Sequence, residues 1–430
     1  MHRASVPPGA RPGSPPYLGA IVTLAVLAFA SPIAAQSRVP LTLAAAQKLA
    51  LDRSSQVVAQ RSLADAAREM VQPAGSLPDP KLIAGFENVP TEGADAWRLD
   101  RDPMTMARIG FMQEFPGGDK RRTRAERATR DAARGDVAAE VAELAVRRDV
   151  TTAWFARHYV ERQARAIAAQ TDEARLQASA SAAQYRAGRA PQGELLSAQA
   201  TVIELENRAT EASLAAERAR LTLARYVGVA EADRPLAAPP DVLALPDVVA
   251  HLLDVDTQPE LRLAQAQEAL LDADAEIARV AKQPDWSAEL TYGIRREFGN
   301  MVSLMVRVDL PWSASTRQDR ELAARLKERD AARAQREDLR RVRESEVRQV
   351  LAEWQAMCTQ AARVRDELVP LAERRIEASM AAYRGGGGAL AAVLEARRAA
   401  LDARLAAINL ESSAARAWAW LATLAQGEHP

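Results

Sequence analysis

The sequence of 430 residues holds one cysteine, Cys358, so the chain can form no internal disulfide. Cys358 falls in a helical pattern and reads as a small core residue. Aromatic residues make up only 4%, which argues against several packed globular cores. Lys+Arg and Asp+Glu balance at 57 each, leaving no electrostatic footprint for nucleic acid. The histidines His2, His158, His251 and His429 are scattered and show no ligand spacing. With one cysteine beside them, no tight site of nitrogen or sulfur ligands can be argued. The run Gly385–Gly388 lacks the Lys-Ser/Thr of a phosphate loop, and no nucleophile–base pair stands out. No catalytic, cofactor-binding or metal-holding residues are therefore expected, and the chain does not read as an enzyme.

What is present is alanine, with much Glu, Arg and Leu, the composition of long helices or coiled coil. The N-terminus has a polar, Pro-rich lead with His2, Arg3 and Arg11. An apolar run from about Leu18 to Ala30 follows, and then small residues through Ala34 and Ala35. The run falls short of the ~20 apolar residues of a membrane-spanning helix. It has the form of a secretory signal peptide, expected over residues 1–35 and cleaved after Ala34 or Ala35. The mature chain, 36–430, is expected to leave the cytoplasm. Cys358 lies far from the cleavage site, so no N-terminal lipidation is expected.

An internal repeat organises the rest. Ala183-Gln184-Tyr185-Arg186-Ala187-Gly188 matches Ala381-Ala382-Tyr383-Arg384-Gly385-Gly386, an offset of 383 − 185 = 198 residues. Pro78-Asp79-Pro80 answers Pro284-Asp285 at nearly the same offset. Repeat 1 spans about 41–230, a Pro- and Ala-rich linker about 231–250, and repeat 2 about 251–425. Each repeat is expected to run helix, strand, strand, very long helix, Gly turn, helix. In repeat 1 a helix is expected over 42–71 with Thr42 as N-cap, and a long helix over 120–185. In repeat 2 the long helix is expected over 315–383, kinked at Pro370. A helix of about 65 residues is roughly 100 Å long, a length suited to a duct or stalk.

Between the helices, four segments alternate. Over Met301–Leu310, the residues Val302, Leu304, Val306, Val308 and Leu310 are apolar at every second position, with Ser303, Met305, Arg307 and Asp309 between them. Trp286–Arg295 and Ala107–Phe115 behave alike, and Lys81–Glu87 is a fourth candidate. Alternation gives a strand one apolar and one polar face. The lengths approach the ~9–11 residues of a strand crossing a membrane, and apolar-out, polar-in is the pattern of a lipid-embedded barrel. A small soluble sheet with one face on a core shows the same alternation, but the helices offer no obvious apolar layer to cover it. Candidate lumen-facing residues are Arg108, Glu114, Glu289, Arg295, Arg307 and Asp309. Four strands cannot close a barrel, which needs about eight, and open edges in hydrocarbon are costly. Strands in lipid would therefore oblige the subunit to oligomerise.

The repeat, the paired strands and the Tyr-Arg-x-Gly turns resemble the TolC outer membrane factors, over nearly all of the mature chain. Pro78-Asp79-Pro80-Lys81-Leu82, Glu87-Asn88-Val89-Pro90 and Gly110-Phe111-Met112-Gln113-Glu114-Phe115-Pro116-Gly117-Gly118-Asp119-Lys120-Arg121 resemble the heavy-metal efflux branch. Pro284-Asp285-Trp286-Ser287 and Tyr292-Gly293-Ile294-Arg295-Arg296 extend that likeness. The resemblance implies a mainly α fold with a small β part. Its long helices would form a periplasmic α-barrel, and its four strands would join a twelve-stranded barrel in a homotrimer. It implies an outer membrane location in contact with lipid, a periplasmic adaptor, an inner membrane RND pump as partners, and passive export of metal cations. Glu395 matches an acidic position at the closed periplasmic tip, the candidate gate, while a second acidic position falls on Ala392. The turn residues Arg186, Gly188, Arg189, Arg384, Gly386 and Gly387 match the regions that meet the adaptor.

Two features leave alternatives. Met104, Met106 and Met112 read as apolar filler, with a soft-metal path as the sharper reading. Lys120-Arg121-Arg122 reads as a solvated collar where strand gives way to helix. For function, the alternatives are a multidrug or type I protein-secretion channel and, from another class, a periplasmic coiled-coil structural protein.

Overall fold

A computed structural model describes residues 39–244 and 254–426, with side chains to residue 424. The expected signal peptide, part of the linker, and His2, His251 and His429 lie outside the described residues.

The chain is mainly helical with one small sheet. Repeat 1 comprises α1 (Leu43–Arg53), α2 (Ser55–Glu69), α3 (Val71–Gly75), β1 (Lys81–Glu87), β2 (Met106–Phe115), α4 (Gly118–Arg186) and α5 (Gln192–Val227). A short α6 (Val229–Ala232) leads into the linker. Repeat 2 comprises α7 (Pro259–Val280), β3 (Trp286–Ile294), β4 (Met301–Val308), α8 (Gln318–Arg363), α9 (Val369–Arg384) and α10 (Leu390–Gln426). Among the described residues, no helix is long and apolar enough to cross a membrane.

Two expected helices are interrupted. Thr42 caps α1 as expected, its side chain accepting from the Ala45 N–H. The helix expected over 42–71 then stops at Ser54, which is extended (φ −72°, ψ 106°) and whose hydroxyl accepts from the Val57 N–H. A Ser that can serve as an N-cap competes with helix continuation, and here the cap wins. The second long helix begins at Gln318 and contains a π turn at Val364–Leu368. Pro370 has no N–H to donate one turn back, and the wider π turn absorbs the missing bond. Leu368 and Leu371, at and just beyond this turn, are exposed. α4 carries no such break over its 69 residues, about 100 Å.

The strands form one antiparallel sheet, β1-β2-β3-β4. The β2–β3 pair, with Phe115 opposite Trp286 and Ala107 opposite Ile294, joins the two repeats. The helical core lies far along α4. Leu41, Val150, Trp154, Phe155, Leu223 and Val227 are buried there, with Trp418 of α10 packed against them. The linker has no helix among its described residues after Asp233. Indole N–H groups pin it: Trp354 donates to the Val242 carbonyl at 2.9 Å and Trp418 to that of Ala244 at 3.1 Å. Buried Arg157 donates to the carbonyls of Ala232 and Arg234 at 2.8 and 3.0 Å. A chain segment without helix or sheet must satisfy its carbonyls elsewhere, and these side chains do so.

Candidate functional site

The pairing register assigns every strand residue to a face, because directly opposed residues share one. On one face, Lys81, Met112, Glu289 and Met305 form a cross-strand row. The rows beside it hold Gly110, Thr291 and Ser303, and then Glu114, Ser287 and Arg307. The opposite face carries Leu82, Phe86, Ile109, Phe111, Leu290, Tyr292, Val302 and Leu304. Gln113 is the one strand residue there with a side-chain amide, and that amide donates to the Pro78 carbonyl at 2.7 Å.

In the two central strands the burial of these faces runs opposite to that of a water-soluble sheet, while β1 is exposed on both faces except at Ile83 and β4 is exposed on both faces throughout. Leu304 is 72% exposed, Val302 68% and Phe111 64%, whereas Glu289 is 7% and Thr291 4%. Among the described residues no helix lies over the apolar face. The polar face is organised by ion pairs. Lys81 pairs with Glu114 at 2.5 Å, and Arg108 reaches Glu87 at 3.1 Å and also Glu289. Arg307 contacts the sulfurs of Met112 and Met305 at 3.9 Å each. Met106, Met112, Met301 and Met305 all fall on this polar face, as the alternation already placed Met305. Gly110 is required by close approach: a Cβ there would lie 2.3 Å from Thr291 Cγ2 and 2.4 Å from the Leu290 carbonyl oxygen.

Two of the candidate lumen residues lie outside the strands. Arg295 follows β3 and donates to the carbonyls of Gly299 at 2.7 Å and Pro103 at 3.0 Å, tying the two loops at that end. Asp309 follows β4, and its N–H donates to the Asp285 carbonyl at 2.8 Å. At this other end the stretches Pro284-Asp285 and Gly117-Gly118-Asp119-Lys120 meet. The Asp285 carboxylate accepts from the Gly117 N–H at 3.0 Å and from Lys120 at 2.9 Å. Burial pushes the Asp285 carboxyl up, but the bonds from Lys120 and Gly117 outweigh it and hold the group below its usual range. These motifs thus join strand ends to the start of α4, a role invisible without the register.

The turns repeat to the atom. Arg189 N–H donates to Gln184 O and Gly188 N–H to Tyr185 O, both at 2.9 Å. Gly387 and Gly386 make the same bonds to Ala382 and Tyr383 at 3.0 and 3.1 Å. Gly188 and Gly386 take φ of +71° and +77°, as a helix C-terminus closed by a Schellman motif demands. The offset, 386 − 188 = 198, matches that of the Tyr residues. The structure brings the turns together through a residue the sequence had marked only as a repeat signature. The Tyr383 hydroxyl lies 3.0 Å from Gln184 Oε1 and 3.4 Å from Glu194 Oε2. Burial, then the Glu194 charge, pushes its pKa up. Glu395 is exposed on α10 and has no ion pair among the described residues. Nearby, Arg397 and Arg398 of α10 pair with Glu173 and Glu204 of the first hairpin.

Residues 46–229 match the family of outer membrane efflux proteins. No curated protein matches the sequence significantly. Among solved structures, the outer membrane protein VceC of Vibrio cholerae superposes with a TM-score of 0.75 at 18% identity, covering 90% of this chain and 97% of its own. The CmeC outer membrane channel of Campylobacter jejuni gives 0.75 at 14%, covering 90% and 86%. CusC, a protein that forms a transmembrane channel, gives 0.69 at 12%, covering 90% and 92%. Residues 46–229 thus carry the signature of the outer membrane efflux protein family, and the chain as described has the fold of the TolC-like outer membrane channels.

Proposed function

We propose that the chain is one subunit of a homotrimeric outer membrane efflux channel. It would be a passive conduit that takes heavy-metal cations from an inner membrane RND pump through a periplasmic adaptor to the exterior. The observation that carries the channel reading is the inverted sheet: an apolar face open to the surroundings and a polar face tied by ion pairs. Only a setting with lipid outside and water inside rewards that arrangement. It also weighs against the periplasmic structural protein, which has no use for such a face. The metal cargo rests on the stretches around Pro78–Leu82, Gly110–Arg121 and Pro284–Ser287. The adaptor would meet Arg186, Gly188, Arg189, Arg384, Gly386 and Gly387 at the turns.

Deleting the gene and measuring sensitivity to zinc, cobalt, cadmium, copper and silver beside organic toxicants tests the cargo. Hypersensitivity to one or more metals is expected. Unchanged metal tolerance with lost drug tolerance would replace the metal reading with a multidrug one. Glu395 is the gate candidate because it matches an acidic position at the closed periplasmic tip of the family that the chain resembles, and its exposed position just beyond the second turn is compatible with that role. Glu395→Ala is expected to raise single-channel conductance or leak in planar bilayers, and an unchanged conductance removes Glu395 from the gate.

A further inference from the structure

Four methionines of the sheet sit where apolar filler has nothing to fill. Met106, Met112, Met301 and Met305 lie on the polar face, and the apolar face carries none. Met301 and Met305 are 41% and 48% exposed, so their thioethers are not packed into a core. The four fall into two pairs. Met112 and Met305 flank Glu289 in one cross-strand row. Their sulfurs converge on one cation, the Arg307 guanidinium, which donates to both at 3.9 Å. Among the described residues Arg307 has no carboxylate partner, while Glu289 is paired with Arg108 and Glu114 with Lys81. Met106 and Met301 flank Gly293. Met301 stands directly opposite it, and the Met106 sulfur lies 2.6 Å from where a Cβ at 293 would be. Only a residue without a side chain leaves room for that sulfur. Along β4 the pairs are four residues apart, Met301 to Met305, about 13 Å.

We infer that these pairs are two thioether sites for a soft monovalent cation, Cu(I) or Ag(I), placed one after the other along the polar face. The assignment rests on the channel reading above, in which that face lines the lumen, and it narrows the cargo to a chemical class. Thioether sulfur is soft and uncharged, and it suits such ions better than the harder divalent ones. At the Met112–Met305 pair the ion takes the place of the guanidinium, and Arg307, exposed on β4, turns aside. Competition from Arg307 keeps the ion weakly held. Conduction needs that balance, because an ion must leave a site as readily as it enters.

The test titrates Ag(I), as silver nitrate in chloride-free buffer, into the detergent-extracted full mature chain with carbon-13 labels on its methionine methyls. Cys358→Ala serves as the background, since a thiol also takes silver. The methyl signals of Met106, Met112, Met301 and Met305 are expected to shift, while those of exposed Met70 and of Met380 stay. Zn(II) is expected to move none of them. Changing the four sheet methionines together to leucine, which conserves volume, is expected to abolish the saturable silver binding with helicity unchanged. A gain-of-binding arm does not depend on that variant folding. Arg307→Gln removes the competing charge and is expected to tighten silver binding about fivefold. Shifts shared equally by Met70, undiminished binding in the leucine variant, or unchanged affinity in Arg307→Gln overturns the assignment. Planar-bilayer conductance separates the two readings. A conducting channel whose sheet methionines ignore Ag(I) sinks the thioether sites alone, and a protein that binds Ag(I) there but never conducts sinks the channel.

Discussion

At the scale of single residues, the polar side chains that carry structure are those whose partners lie far away in sequence. Arg157 ties the linker to α4, and Asp285 ties repeat 2 to the start of α4 in repeat 1. His158 is the one described histidine and has a different consequence. It stacks on Trp154 at 5.6 Å and packs edge-on to Tyr159 at 5.2 Å. Burial, and then the charges of Arg162 and Arg165, hold its pKa below the ordinary 6.5, against the opposing pull of Glu161 and Glu411. The fold therefore favours neutral imidazole, while the unfolded chain takes up a proton near 6.5. The stability this contributes is complete above that value and declines as pH falls below it, levelling once the folded group also protonates. Melting temperatures between about pH 8 and 5 should fall toward acid, and His158→Phe should flatten that slope. The same slope in both proteins would show that other groups produce it.

At the scale of elements, the pattern of alternation and periodicity was enough to place the strands and helices to within a few residues. The turn sequences announced their own geometry, since Gly188 and Gly386 stand where a left-handed residue must close a helix. The breaks were harder to read. Ser54 looks like any polar residue on a helix surface, and only its competition for the Val57 N–H reveals a second cap. Pro370 announced a disturbance, but not that a π turn would precede it. In the candidate site, alternation marked Arg108, Glu114, Glu289 and Arg307 as one face. It could not assign their partners, because an ion pair such as Arg108–Glu289 depends on the register between strands 181 residues apart (289 − 108). Arg295 and Asp309 kept the alternating period in sequence, yet they fall where the strands have already given way to loops. Tyr383 escaped notice as a contact because its partners, Gln184 and Glu194, lie in the other repeat.

At the scale of the whole molecule, the sheet is what argues for the proposed assembly. It has four strands and two free edges, β1 and β4. In water such edges invite pairing with other chains, and in hydrocarbon each unpaired backbone group costs several kcal/mol. Four strands are also too few to enclose a lumen, since about eight are needed for side chains merely to fill the interior. In the proposed channel, β4 of one subunit would join β1 of the next, and three copies would supply twelve strands, 3 × 4. Closure also staggers the strands, so the edges cannot meet in the plain rows seen inside one subunit. The helices can follow the same rotation because β2 and β4 lead directly into α4 and α8. One symmetry operation would then close the barrel in the membrane and the duct below it. Native mass spectrometry of the detergent-extracted protein should accordingly give three copies of the mature chain, with monomer appearing only as the helices melt. A folded monomer that keeps its full helicity in detergent would mean that the β1 and β4 edges are satisfied some other way, and the shared barrel would have to be given up.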